Sequence, residues 1–207
     1  SKAVHHPWPT YEGLGLRDDR GFKQLNTAVL QIENEYYSSI RPKRIQQKGE
    51  RPVRALINRG VEYLEVRAID LNPFARNGIS EHEASLITLL MTASALADSP
   101  LNSPEECIAI DGINARASWA GRRPDQRFDD RSTFKQAGLE FLGSLDPLAA
   151  ALNTAFQTES FGNALHDARL RLDGICPLLS DEIEQAVLKD GHIELGLTQA
   201  NQHYDSW

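Results

Sequence analysis

The sequence predicts an α+β fold, and two observations carry that expectation. Residues 28–37 and 61–70 alternate apolar with polar side chains, the period-two signature of half-buried strands. After Gly78, helix start and stop signals recur at helical spacing up to the last residues. The expected organisation is a sheet portion over residues 1–75 and a helical portion over 76–207 of one domain. With 41% hydrophobic residues among 207, the chain has enough apolar material to bury a core.

Taken in order, Pro7, Pro9, Gly13 and Gly15 break up residues 7–20. In the strand expected over 28–37, Leu30, Ile32, Asn34 and Tyr36 share one face; Gln31, Glu33, Glu35 and Tyr37 share the other. The run Ile40-Arg41-Pro42-Lys43-Arg44 reads as a basic turn, followed by a polar segment and a short helix over 53–58 that Gly60 ends. The second strand, 61–70, places Leu64, Val66 and Ala68 on one side and Glu65 and Arg67 together on the other, and Asn72-Pro73 closes it. Two such strands pair more commonly antiparallel than parallel.

Ser80 and Glu83 form a capping box for a helix over 81–97 that is apolar almost all round and therefore belongs in the interior. Ser103-Pro104 opens a helix reaching about residue 120, and residues 124–131 form a charged loop. Further helices are expected over 132–143, 147–157, 160–172 and 181–189, with Asp146-Pro147 and Ser180 as starts and Gly174 and Gly191 as stops. Residues 193–203 form a weaker helical segment.

Charge and composition exclude several classes. A net charge of -7 and a pI near 5.4 do not suit a general nucleic-acid binder, which needs a basic stripe against phosphates. The longest apolar stretch, 84–97, is too short to span a bilayer. Cys107 and Cys176 stand in no metal-ligand spacing and have no neighbouring group that would activate a thiol. These features fit a cytoplasmic protein without nucleic-acid or membrane partners. The start at Ser1 without Met and the end at Trp207 read as a fragment. His82, His166, His192 and His203 are spread over helices and read as structural or surface residues.

Several residues suggest chemistry. A carboxylate beside a guanidinium, as Glu65 and Arg67 stand, can hold a metal ion and a phosphoryl group together; the same pair also fits an ordinary ion pair on a solvated face. Aligned polar faces of the two strands would gather Glu33, Glu35 and Glu65, whose mutual repulsion a divalent cation would relieve. Arg41, Lys43 and Arg44 could clamp nucleotide phosphates, or simply form a solvated turn. No glycine-rich phosphate loop occurs, so side chains on a sheet would have to hold any nucleotide.

Three blocks, Val29-Leu30-Gln31-Ile32-Glu33-Asn34-Glu35-Tyr36-Tyr37, Ile40-Arg41-Pro42-Lys43-Arg44 and the run from Gly60 to Phe74, closely resemble bacterial glutamate–cysteine ligases in order and spacing. The likeness extends more weakly through Leu96-Ala97-Asp98 and Gly121-Arg122-Arg123-Pro124. The resemblance implies part of a curved, mostly antiparallel sheet like that of glutamine synthetase, followed by a helical region. It implies ATP-dependent joining of the glutamate γ-carboxylate to the cysteine amine through an acyl phosphate, with Mg²⁺ or Mn²⁺, as the first step of glutathione synthesis. By position it implies that Glu65 is a metal ligand, that Arg67 contacts the transferring phosphoryl group, that Tyr37 lines the cysteine pocket, and that Arg41 and Lys43 lie near the nucleotide. Glu33 and Glu35 match the motif without individual roles. Members of the family are much longer, with further metal-binding carboxylates in an N-terminal part, so this chain is expected to need that remainder for catalysis. The alternatives are a related carboxylate–amine ligase with another acceptor, or a non-catalytic module that binds a protein partner.

Overall fold

A computed structural model describes residues 2–32 and 37–205. The chain is α-rich with small antiparallel sheets, and it divides into two compact units, Ser1–Asp70 and Leu71–Trp207.

In the first unit, helix α1 (Pro9–Leu14) starts on proline, whose missing N–H costs nothing in a first turn. Strands β1 (Arg17–Asp18) and β2 (Gly21–Phe22) form a short antiparallel hairpin, with the Arg17 guanidinium 3.7 Å from the Phe22 ring centroid. The chain then turns back along its own start: Trp8 N–H donates to the Thr27 carbonyl at 2.8 Å and Val29 N–H to that of His6 at 3.0 Å.

The strand expected over 28–37 does not form within its described part. Ala28 makes one isolated antiparallel bridge to Pro7, and residues 29–32 bend; residues 33–36 lie outside the described residues. Local side chains take the backbone groups a ladder would use. Asn26 accepts from Ala28 N–H at 2.7 Å and donates to the Gln31 carbonyl at 2.6 Å, while Gln31 accepts from Leu25 N–H at 2.8 Å.

The strand β3 (Ile40–Lys43) is instead made by the stretch expected as a basic turn, and it pairs antiparallel with β4 (Tyr63–Val66). Arg67 N–H donates to the Ser39 carbonyl at 2.8 Å, which makes odd-numbered residues of β3 the ones bonded to β4. Pro42 therefore turns its donor-less nitrogen to the open edge, where proline is tolerated. Helix α2 (Pro52–Arg59) ends at Gly60, whose φ of 74° no β-carbon favours, and Ala55 is fully buried. Arg44 donates to the Arg59 carbonyl at 2.9 Å and pairs with Glu62 at 3.5 Å. Arg59 returns to the Ile45 carbonyl at 3.0 Å and to Glu50. These bonds tie the end of α2 to the strand pair.

The second unit is helical: α3 (Glu81–Leu96), α4 (Pro104–Ala120), α5 (Phe134–Ser144), α6 (Asp146–Phe156), α7 (Ser160–Asp173), α8 (Leu179–Asp190) and α9 (His192–Asp205). The capping boxes of α3 and α4 are both present, Glu83 and Glu106 reaching back to Ser80 and Ser103. Helix α7 is central, with α3, α5 and α6 packed on it around Leu89, Leu142, Leu145, Ala149, Phe161 and Leu165. Arg169 fastens α7 to the α5–α6 corner through the Leu142 carbonyl at 3.0 Å and Asp146 at 2.8 Å. A β-carbon at Gly138 would stand 3.0 Å from the Leu172 side chain, so the glycine permits close approach of α5 and α7. The interior position expected for α3 holds on one face only: Leu89 is fully buried, whereas Leu96 is exposed. No described helix is long and apolar enough to cross a membrane. Where the resemblance implies part of one curved sheet, the described residues form two separate two-stranded ladders.

Candidate active-site face

The register of β3 and β4 decides which side chains meet. Arg41 stands directly opposite Glu65 and Lys43 opposite Tyr63. Side chains two apart share a face, so Arg41, Lys43, Tyr63, Glu65 and Arg67 lie together on one side of the ladder. Ile40, Pro42, Leu64 and Val66 take the other.

At the centre of the polar face is the Glu65 carboxylate. Arg67 donates from Nη2 to Oε1 at 2.9 Å, and the Lys43 ammonium stands 3.5 Å from Oε2. The hydrogen bond from Arg67 holds the Glu65 carboxyl below its ordinary range; lost hydration opposes this, and the charges of Arg67 and Lys43 reinforce it. The same hydrogen bond and the Glu65 charge raise Arg67, with a smaller contribution from the Tyr37 phenol. Oε2 is shielded from solvent yet accepts no hydrogen bond from a described residue. Its described partner is the Lys43 ammonium, and a carboxylate oxygen is a donor of the kind that hard divalent cations take.

All five residues singled out for the site are described, and four of them share this face. Arg41 and Lys43 are half-buried in β3 and flank Glu65, with Arg67 more exposed beyond it. Tyr37 precedes β3 and is 68% exposed, near enough to act on Arg67 electrostatically. Arg44, grouped with Arg41 and Lys43 in the sequence, is separated from them. It follows strand alternation to the opposite side and holds the end of α2 through Arg59 and Glu62. Tyr63, which the sequence reading did not single out, joins the face opposite Lys43; alternation within the 61–70 strand already puts it beside Glu65 and Arg67. Glu33 and Glu35 lie outside the described residues. Among the described residues no group of three or more His, Cys, Asp or Glu side chains could hold a metal ion.

A separate cleft of about 710 Å³ in the first unit is lined by Val4, His5, Asn26, Ala28, Ile32 and Arg51, among others, and by none of the five site residues. In the second unit, His203 Nε2 lies 2.9 Å from the Pro73 carbonyl, in keeping with a structural role. Both cysteines are free.

The family described as glutamate-cysteine ligase matches residues 1–115. The glutamate–cysteine ligase of Azotobacter vinelandii is 42% identical over 168 residues, covering 80% of this chain and 32% of the relative. That of Pseudomonas paraeruginosa is 44% identical over 174 residues, covering 83% and 33%. The Pseudomonas fluorescens enzyme is 36% identical over 207 residues, covering 98% and 39%. A crystal structure of Francisella tularensis glutamate–cysteine ligase in complex with AMP superposes with a TM-score of 0.80 at 29% identity, covering 99% of this chain and 41% of that one. The chain thus spans about a third of the length of the curated relatives it matches.

Proposed function

We propose, since the chain belongs to the glutamate–cysteine ligase family, that the polar face of β3–β4 is its contribution to an ATP-dependent ligase site acting on L-glutamate and L-cysteine. The observation that carries this is the Glu65 carboxylate set among Arg41, Lys43 and Arg67 on one ladder. The AMP held by the Francisella enzyme supports a nucleotide as co-substrate.

In this reading a γ-carboxylate oxygen of glutamate attacks the γ-phosphorus of ATP. The bond to the bridging oxygen breaks and ADP leaves with its electron pair. The cysteine amine then attacks the acyl carbon, phosphate departs, and the nitrogen loses a proton to give the amide. Negative charge spreads over the phosphoryl oxygens in the first step, and in this reading Arg67 takes it up through the part of its fork that its bond to Glu65 leaves free. Glu65 positions that guanidinium, and its Oε2 is the atom that would hold a Mg²⁺ or Mn²⁺ ion. Such an ion, when bound, neutralises phosphate oxygens. Tyr37, beside Arg67, offers an aromatic wall and a hydroxyl for the cysteine substrate. No described group of three or more His, Cys, Asp or Glu side chains could hold a metal ion, and the chain spans about a third of its relatives' length; in this reading the remaining ligands and the glutamate pocket come from the rest of that length, and catalysis needs it.

The test is Arg67→Ala in a chain completed to family length with the remainder of a relative. Removing one preorganised charge-stabilising donor costs about 3 kcal/mol in activation, so turnover falls at least about a hundredfold with the fold intact. Turnover near that of the unsubstituted protein refutes the assignment. Phosphate release on exchanging cysteine for other amines distinguishes this ligase from one with a different acceptor.

A further inference from the structure

The two outer edges of the β3–β4 ladder differ. Because odd-numbered residues bond across the ladder, even-numbered ones turn their backbone groups away from it. On β3 these are Ile40 and Pro42. Pro42 has no donor, and the Ile40 carbonyl already accepts from Ser38 Oγ at 2.7 Å. That edge is blunted, as native strand edges that face water commonly are. On β4 they are Leu64 and Val66, whose two N–H and two C=O groups bond to no described residue. β4 carries neither proline nor lysine, and Leu64 is 48% exposed. The alternating run also outlasts its partner, continuing through Ala68 and Ile69 beyond the Arg67–Ser39 bond that ends the ladder. Two paired strands of four residues are marginal by themselves.

We propose that the outer edge of β4 is a docking edge for one further strand, supplied by the part of a family-length polypeptide that this chain does not span. That part is large: the match covers 32% of the Azotobacter relative and 41% of the Francisella chain. A strand laid there has one side beside Tyr63, Glu65 and Arg67 and the other beside Leu64 and Val66. The polar face sets Arg41, Lys43 and Arg67 against Glu65 alone, an excess of positive charge. The complementary segment therefore alternates acidic with apolar side chains, main-chain bonds giving affinity and alternate side chains giving selectivity. Strand addition of this kind needs neither a metal nor a nucleotide.

Amide hydrogen exchange read by NMR tests this, with leucine, valine and isoleucine labelled, in the chain as it is and in the chain completed to family length with the remainder of the Azotobacter relative. In the chain alone the Leu64 and Val66 amides exchange freely. Completion slows both at least about a hundredfold, as a new ladder bond does, and leaves Ile40 within about threefold. Cross-strand contacts in the same spectra run from Leu64 and Val66 to the added part. Should the fusion not fold, the Azotobacter enzyme itself is measured at the amides aligned with these three. The proposal is overturned if completion leaves Leu64 and Val66 unchanged, or slows Ile40 as much as it slows them. Slow exchange of Leu64 and Val66 already in the chain alone overturns it as well: the edge then belongs to a segment of this chain or, where the slowing grows with concentration, to a second copy.

Discussion

Arg41 and Arg44 stand three positions apart in one basic run and do opposite work, which is visible in what each touches. Arg44 is committed: it donates to the Arg59 carbonyl and pairs with Glu62, which in turn accepts from Ile45 N–H at 3.0 Å. Arg41 has no such commitment among the described residues. Arg44→Ala is therefore expected to lower stability by about 1 kcal/mol, the usual net worth of a hydrogen bond of this kind, while Arg41→Ala stays within about 0.5 kcal/mol. Urea unfolding monitored on first-unit resonances separates the two; equal losses would mean that Arg41 has a structural partner. The pairing of Glu65 with Arg67 was legible in the sequence because period-two alternation alone puts them side by side. The engagement of Lys43 was not, since a residue assigned to a turn has no face, and only strand register places it beside Glu65.

Elements were most legible where a short-range chemical signal specifies them. The box of Ser80 and Glu83 is such a signal: Glu83 N–H donates to Ser80 Oγ at 3.2 Å and Ser80 N–H to Glu83 Oε2 at 2.6 Å, with Asn72 adding a bond at 3.2 Å. Burial pushes the Glu83 carboxyl up, but these hydrogen bonds outweigh it and hold the carboxyl below its ordinary range. A carboxyl lowered on folding contributes stability that is fully present above its unfolded pKa and is lost as pH falls through the folded one. Stability of the helical unit is thus expected to decline as pH drops below the ordinary carboxylate range. Glu83→Gln, which keeps an acceptor for the box, should flatten that part of the profile, and Ser80→Ala should cost about 1 kcal/mol at neutral pH. Thermal unfolding across pH checks both. The strand expected over 28–37 shows the opposite case: a correct alternation was overridden at residues 28–32 by Asn26 and Gln31, whose side chains satisfy the backbone locally. Alternation reports which face a residue would take, not whether a partner strand is there to pair.

Across the molecule, apolar surface is buried unevenly, and sequence pattern could not foresee where. Helix α3 reads as interior on all sides, yet only its α7-facing side is covered, because periodicity gives the extent of an apolar surface and not the number of neighbours that cover it. Helix α4 goes further: it has no fully buried residue, and Trp119 is 89% exposed. Stability of the helical unit must then reside around α7, where Leu165 is 1% exposed and touches the shared cluster of α3, α5 and α6. Leu165→Ala removes three buried carbons and leaves a cavity in that cluster, an expected loss of about 2–5 kcal/mol. Trp119→Ser removes a larger side chain but creates no cavity, and its expected effect is within about 0.5 kcal/mol. Size alone would rank the two the other way. Denaturant unfolding followed by far-ultraviolet circular dichroism, which the helices of the second unit dominate, decides between them: a larger loss from Trp119→Ser than from Leu165→Ala would place the stabilising contacts on α4 and overturn the central role given to α7.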